Sequence, residues 1–191
     1  MYARQTAGRQ LTFDFAEGLI RDNLLLVDRE TSSVWSQLDN KAVSGPLKGT
    51  PMQVVPSLQT TWKFWREQHP DSLVAVVEDE QGRPYYYSDF KPGARRPRPT
   101  AHDPSTLGLG LAVGQEAWYF PLSELAGLES PLRMEADGQP VQIHHRTEAL
   151  TAWAEDSQGS LLAGVLAYRQ GWLSFFPDSQ IYQAPSQEPS Q

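Results

Sequence analysis

The 191-residue sequence predicts an α+β fold that is mainly β: a hairpin-rich sheet or partly open barrel, with one clear helix and one or two short ones. Three observations predict it. Fifteen prolines and 14 glycines call for many turns and few long helices. The apolar segments are short and bounded by turn pairs such as Gln81-Gly82, Gln158-Gly159 and Asp137-Gly138, the last a strong hairpin signal. Only Ser57 to Gln68 has the capping threonines (Thr60 or Thr61), the apolar side (Trp62, Trp65, Phe64) and the terminating proline (Pro70) of a helix.

Taken in order, Leu11 to Phe15 alternates apolar and polar residues, as a half-buried strand does. Asn23 to Asp28 is the next strand. Asp28 to Ser33 is rich in residues that hydrogen-bond their own backbone and reads as a turn, from which Val34 and Trp35 return. Met52 to Val55, between prolines, reads as an edge strand. Leu73 to Val77 and Tyr85 to Tyr87 read as a hairpin. The proline density of Lys91 to Asp103 forbids a helix or a central strand there. Leu107 to Val113 and Glu116 to Phe120 form another hairpin. Pro121 opens a short helix over Leu122 to Ala126, where its missing N–H costs nothing. Leu132 to Ala136 pairs with Val141 to His145. Thr147 to Trp153 reads as helix or broken strand, and Leu161 to Tyr168 as a strand. Trp172 to Phe176 is apolar and stops at Pro177.

The expected organisation is one β-rich domain over 1–183, built from half-units 1–90 and 104–183 joined by a loop over 91–103, with a disordered tail at 184–191 that is rich in Pro, Ser and Gln. At this length one core buries roughly 70% of the unfolded chain's surface, so no staple is needed. A repeat supports the half-units. Trp65-x4-Pro70-Asp71-Ser72 recurs as Trp172-x4-Pro177-Asp178-Ser179.

Composition removes several function classes. The formal net charge of −7 disfavours nucleic acid or an anionic membrane as the main partner. There is no cysteine, which excludes disulfides, thiolate metal sites and cysteine redox chemistry within this chain. No targeting segment is visible, and no apolar run approaches the ~20 residues of a spanning helix. As written the chain reads as soluble and cytoplasmic, with its compartment open. The common hydrolase signatures are missing, and Gly45-x3-Gly49-Thr50 has the wrong spacing for a phosphate loop. His144 and His145 are neighbours that point to opposite faces of a strand, so they do not serve one metal. His69 and His102 are isolated. Arginines 95, 96 and 98 suit a phosphate in principle, but a solvated linker is the simpler reading in an acidic chain. No catalytic residue, metal ligand set or cofactor is assigned.

The densest run of specialised residues is Asp28-Arg-Glu-Thr-Ser-Ser-Val-Trp-Ser-Gln37, followed by Gly45-Pro-Leu-Lys-Gly49. Trp35 has two readings. It is a core residue beside a tight turn, or it joins Gln37 and Lys48 on a ligand-facing rim. These runs, with Thr61-Trp62, Trp65, His69-Pro70, Gln115-Glu116-Ala117, Tyr119 and Pro121-Leu122, resemble the family known as domain of unknown function 3179, over roughly Leu11 to Tyr182. The resemblance implies an uncharacterised, bacterial-type protein, some of whose full-length relatives are exported. It also implies a Cys-Pro-Leu-Cys motif, in some members with selenocysteine, just upstream of the segment that Tyr2 to Phe13 resembles. That motif is not in this sequence.

Two functions are therefore expected. One is a non-enzymatic binding or structural module with a Trp-lined cleft near Trp35, Trp62 and Tyr119, taking a small ligand or a protein. The other is a truncated redox protein, or a redox partner, that lacks its thiol segment. Candidate binding positions are Trp35, Gln37, Lys48, Trp62, Trp65, His69 and Tyr119. The missing segment also leads us to expect an uncovered apolar edge near Phe13, Phe15 and Leu24, open to self-association or to a partner.

Overall fold

A computed structural model describes residues 1–6, 8–21, 23–74, 81–82 and 106–185. Strand exceeds helix by more than two to one, in separate sheets rather than a closed barrel. Of the strand expected over Leu73 to Val77, residues 73–74 are described and are not in a strand; the rest of it, the strand over Tyr85 to Tyr87, the loop over 91–103 and most of the tail lie outside the described residues. Ala184 is tied down, its N–H donating to Glu124 Oε2 at 2.9 Å.

The N-terminal part begins with the small hairpin β1 (Gln5–Thr6) and β2 (Arg9–Gln10). A four-stranded antiparallel meander follows in chain order: β3 (Phe13–Ile20), β4 (Asn23–Asp28), β5 (Val34–Ser36) and β6 (Lys41–Ser44). A register shift between Phe15 and Leu19 bends β3, where Gly18 takes a φ of +93°. Leu11, Trp35, Ala42 and Met52 form the core here, with Tyr2, Phe13, Leu26 and Leu47 packed around them. Among the described residues nothing covers the other face. Phe15 is 75% exposed and Leu19 61%, with Leu24 less so.

Residues 52–55 do not form the expected strand. The segment makes one isolated bridge, Tyr2 to Val54, and prolines 51 and 56 limit a longer ladder. Helix α1 (Trp62–Gln68) starts five residues later than read from sequence. Thr61 is its N-cap, accepting from the Phe64 N–H, and residues 57–60 precede it without regular structure.

The C-terminal part holds two sheets. Strands β7 (Leu107–Val113) and β8 (Glu116–Pro121) form a hairpin that leads into α2 (Leu122–Leu125). Strands β9 (Leu132–Ala136) and β10 (Gln139–Arg146) turn at Asp137-Gly138, both with positive φ as a two-residue hairpin of this kind requires. A single 3-10 turn over Thr147–Ala149 leads to β11 (Thr151–Asp156), which resolves the helix-or-strand ambiguity into one of each. Strand β12 spans only Val165–Tyr168, because Leu161 makes just a bridge to Glu155. Then come α3 (Arg169–Phe175) and β13 (Gln180–Ile181). The sheets run β12-β7-β8-β13 and β11-β10-β9. Between them Leu109, Leu111, Phe120, Leu125, Val141, Ile143 and Ala154 make a larger, aliphatic core.

Candidate functional site

The sequence motif around Asp28 folds into a buried polar knot. Asp28 is 1% exposed at the end of β4. Its carboxylate accepts hydrogen bonds from the Thr31 N–H (2.5 Å), Thr31 Oγ1 (2.9 Å), the Ser33 N–H (3.2 Å) and the Trp35 indole N–H (2.8 Å). Burial pushes the Asp28 pKa up, but the bonds from Trp35, Thr31 and Ser33 outweigh it and hold the group below its ordinary value. Ser33 Oγ in turn accepts the Leu47 N–H at 3.0 Å, which ties the Gly-Pro-Leu turn to the knot. Gly45 has a φ of +87°, and a Cβ there would come within 2.6 Å of Ser33 Cα, so only glycine fits. Asp28, Thr31, Ser33, Trp35, Gly45 and Leu47 thus each have a structural task.

The predicted site residues are dispersed. Trp35 is fully buried in the N-terminal core, edge-on to Phe13. Tyr119 is fully buried in the other sheet, its hydroxyl against the carbonyls of Thr106 and Ala167, and burial drives its pKa far up. Lys48 is exposed on the turn before Gly49, and Trp62 is 50% exposed on α1. Trp65 and His69 do meet, with ring centroids 4.1 Å apart. Gln37 alone reaches the cavity described next.

That cavity, about 200 Å³, lies where the N-terminal sheet meets the C-terminal part. One wall carries Tyr2, Gln37, Asn40 and Gln59, the other Trp153, Leu162, Trp172 and Phe176. The Tyr2 hydroxyl donates to the Gln37 carbonyl at 2.5 Å, and burial raises its pKa, so it stays a neutral donor. The Thr151 hydroxyl holds the Gln59 carbonyl at 2.7 Å across the junction. Both indole N–H groups are already used, Trp153 on Glu155 Oε1 and Trp172 on Ser179 Oγ. The rings therefore offer faces and edges, not donors. His144 stacks on Trp153 at 5.0 Å, with Nε2 3.1 Å from Glu155 Oε2 but not aligned for a hydrogen bond. None of the lining side chains is Asp, Glu, Lys or Arg.

Sequence reasoning missed Trp153, Trp172 and Phe176. The repeated Trp-x4-Pro-Asp-Ser segment had already singled out Trp172, but not as part of a cleft. Among the described residues no group of three or more His, Asp or Glu is placed to hold a metal ion, and no helix is long and apolar enough to cross a membrane.

The geometry defines a β-rich chain with two cores and a cavity at their junction lined without an Asp, Glu, Lys or Arg side chain. Its sequence matches the family described as protein of unknown function (DUF3179) over residues 1–179, and the chain belongs to that family. No curated protein and no solved structure matches it.

Proposed function

We propose that this protein is a non-enzymatic binding module whose ligand is a small neutral molecule held in the cleft between two related half-units, 1–90 and 104–183. The carrying observation is the composition of the cavity wall: aromatic rings from β11 and α3 on one side, uncharged amides on the other, and no Asp, Glu, His, Lys or Arg side chain between them. Such a wall suits a compact ligand with one flat apolar face and a few hydrogen-bonding groups at its edge. The volume fits about one ring. Trp35 and Tyr119 belong to the scaffold of this reading rather than to its contacts, and Trp62, half exposed on α1, to neither. The redox alternative would draw its thiols from outside these 191 residues, which include no cysteine.

The test is a panel of neutral cyclic compounds, sugars and aromatic amides together, screened by thermal shift and tryptophan fluorescence. A hit should quench the fluorescence, and Trp153→Ala should weaken it about tenfold, as loss of an aromatic anchor does. Hits that are all charged, or binding indifferent to Trp153→Ala and Gln37→Ala alike, would remove the cleft from the argument.

A further inference from the structure

The two walls of the cleft are built differently, and the difference narrows the ligand. On the N-terminal side, Gln37 and Asn40 are the first and last residues of the turn between β5 and β6. Their backbone groups are spent inside the protein. The Gln37 carbonyl accepts from the Tyr2 hydroxyl at 2.5 Å and from the Asn40 N–H at 3.3 Å. The Asn40 carbonyl accepts from the Met52 N–H at 2.7 Å. Asn40 holds a φ of +54°, a left-handed conformation that asparagine tolerates better than most side chains do. Gln59 is more exposed and is pinned through its carbonyl to Thr151. The side-chain amides of all three line the cleft on fixed backbone, yet have no hydrogen-bond partner among the described residues.

The facing wall is the reverse. Its two indole N–H groups are spent on Glu155 and Ser179. His144 takes one face of Trp153, with the rings 7° from parallel. Trp172 is buried, rests on Gly110 and stacks on Phe176 with centroids 4.1 Å apart. That leaves the second faces of Trp153 and Phe176, both half-buried, as the aromatic surface for a ligand.

A ligand must therefore meet ring carbons on one side and free amides on the other. A flat heterocycle is apolar on both faces. Seating one takes the amides out of water without giving them partners, which is costly. A sugar ring carries C–H groups on one face and hydroxyls around its rim. Each hydroxyl both donates and accepts, and so does each carboxamide. No Asp, Glu, His, Lys or Arg side chain lines the cleft, so a uronic acid, an amino sugar or a sugar phosphate would bury its charge unpaired. The volume of about 200 Å³ limits the bound part to a single ring. We infer, on the binding reading of this cleft, that its ligand is a neutral monosaccharide, free or as the end residue of a longer glycan. Its C–H face stacks on Trp153 and Phe176, and Gln37, Asn40 and Gln59 bond its hydroxyls.

The probes are the methyl glycosides of glucose, galactose, mannose and xylose, with uracil and nicotinamide as flat neutral rings and glucuronate as a charged sugar. Each is titrated into the full chain by ligand-observed NMR. At least one neutral glycoside should bind saturably, with magnetisation transfer strongest at the protons of one ring face. Among its deoxy analogues at least one should bind about tenfold more weakly or worse, because a site built to hydrogen-bond a hydroxyl rejects the ring that lacks it. Asn40→Gly keeps the positive φ and removes the amide, and Gln37→Met keeps the length of the side chain. Each variant should melt near wild type and bind about tenfold more weakly. A disaccharide ending in the same sugar that binds equally well identifies a glycan end, and one that is excluded identifies the free sugar. If uracil or nicotinamide binds in a manner that needs Trp153 and no glycoside does, the sugar is overturned and the cleft reading stands. If nothing binds, both fall. Glucuronate binding as well as the neutral sugar, or glycoside binding indifferent to every deoxy analogue, overturns the inference too. The deoxy series is run on wild-type protein, so it decides the matter even where a variant fails to fold.

Discussion

The two cores of this protein solve the same problem by different means. The C-terminal core is aliphatic, filled by leucines, Val141, Ile143 and small alanines from two sheets and α2. Among the described residues the N-terminal core buries the apolar side chains of Leu11, Trp35, Ala42 and Met52, and it adds buried Asp28, Ser33 and Ser36. A one-sided meander with Phe15 and Leu19 in solvent cannot bury much apolar area. It gains definition instead from a carboxylate that accepts four hydrogen bonds from one turn and the strand after it. A fully satisfied polar network fixes a unique arrangement, and a partly satisfied one is costly. The N-terminal sheet should therefore fail abruptly when one donor is lost, whereas the C-terminal core should lose stability in proportion to volume.

The largest effect is expected at Trp35. Trp35→Ala removes the biggest side chain of a four-residue core and should cost roughly 3–5 kcal/mol. Trp35→Phe keeps most of the ring but leaves Asp28 short of a donor. It should cost roughly 1–3 kcal/mol on that ground alone. Urea denaturation of both variants separates volume from hydrogen bonding. A Trp35→Ala melt within a degree or two of wild type would reject the core role of this residue.

How much of this could be read from sequence depends on how local the cause is. The hairpin at Asp137-Gly138 was legible because the turn geometry demands those residues. Helix α1 was legible because Thr61 and Pro70 bracket it. Helix α3 was not: Gly171 interrupts its seven residues, and its stability comes from Trp172 resting on Gly110. The Asp28 turn was recognised, but its burial was not. Nothing in Asp-Arg-Glu-Thr-Ser-Ser distinguishes a solvated turn from one whose carboxylate is roofed by an indole seven residues later. The cleft was the least legible feature. Trp153 and Trp172 come from different elements, and Tyr2 and Gln37 from the other end of the chain.

Acid should separate the two parts. His145 is buried in the C-terminal part with Nε2 unpaired. Burial lowers its pKa from the ordinary 6.5, a hydrogen bond to the Glu129 backbone opposing this. The unfolded chain therefore takes up the proton first. The stability contributed by neutral His145 is fully present above 6.5 and is lost as pH falls from there toward the lowered value. Asp28 has the same sign at a lower range, its contribution lost only as pH falls below the ordinary 3.8. Hydrogen exchange at stepped pH should show β10 and β11 loosening before β4 and β5. His145→Leu should flatten the first phase and leave the second. Simultaneous loosening in wild type would mean that the two cores unfold as one unit.

The smallest effect is expected at Trp62. It lies on α1, belongs to neither core and is half exposed. Its helix is held by the Thr61 cap and by the Trp65–Ser72 and Trp65–His69 contacts, none of which involves the Trp62 ring. Trp62→Ala should therefore change stability by no more than about half a kcal/mol, the range of surface substitutions away from special features. Alanine also favours the helix, which offsets part of any lost contact. The size of this effect measures how independent α1 is of the cores on either side. A loss comparable to that of Trp35→Ala would mean that Trp62 is covered in solution, and that α1 belongs to one of the cores after all.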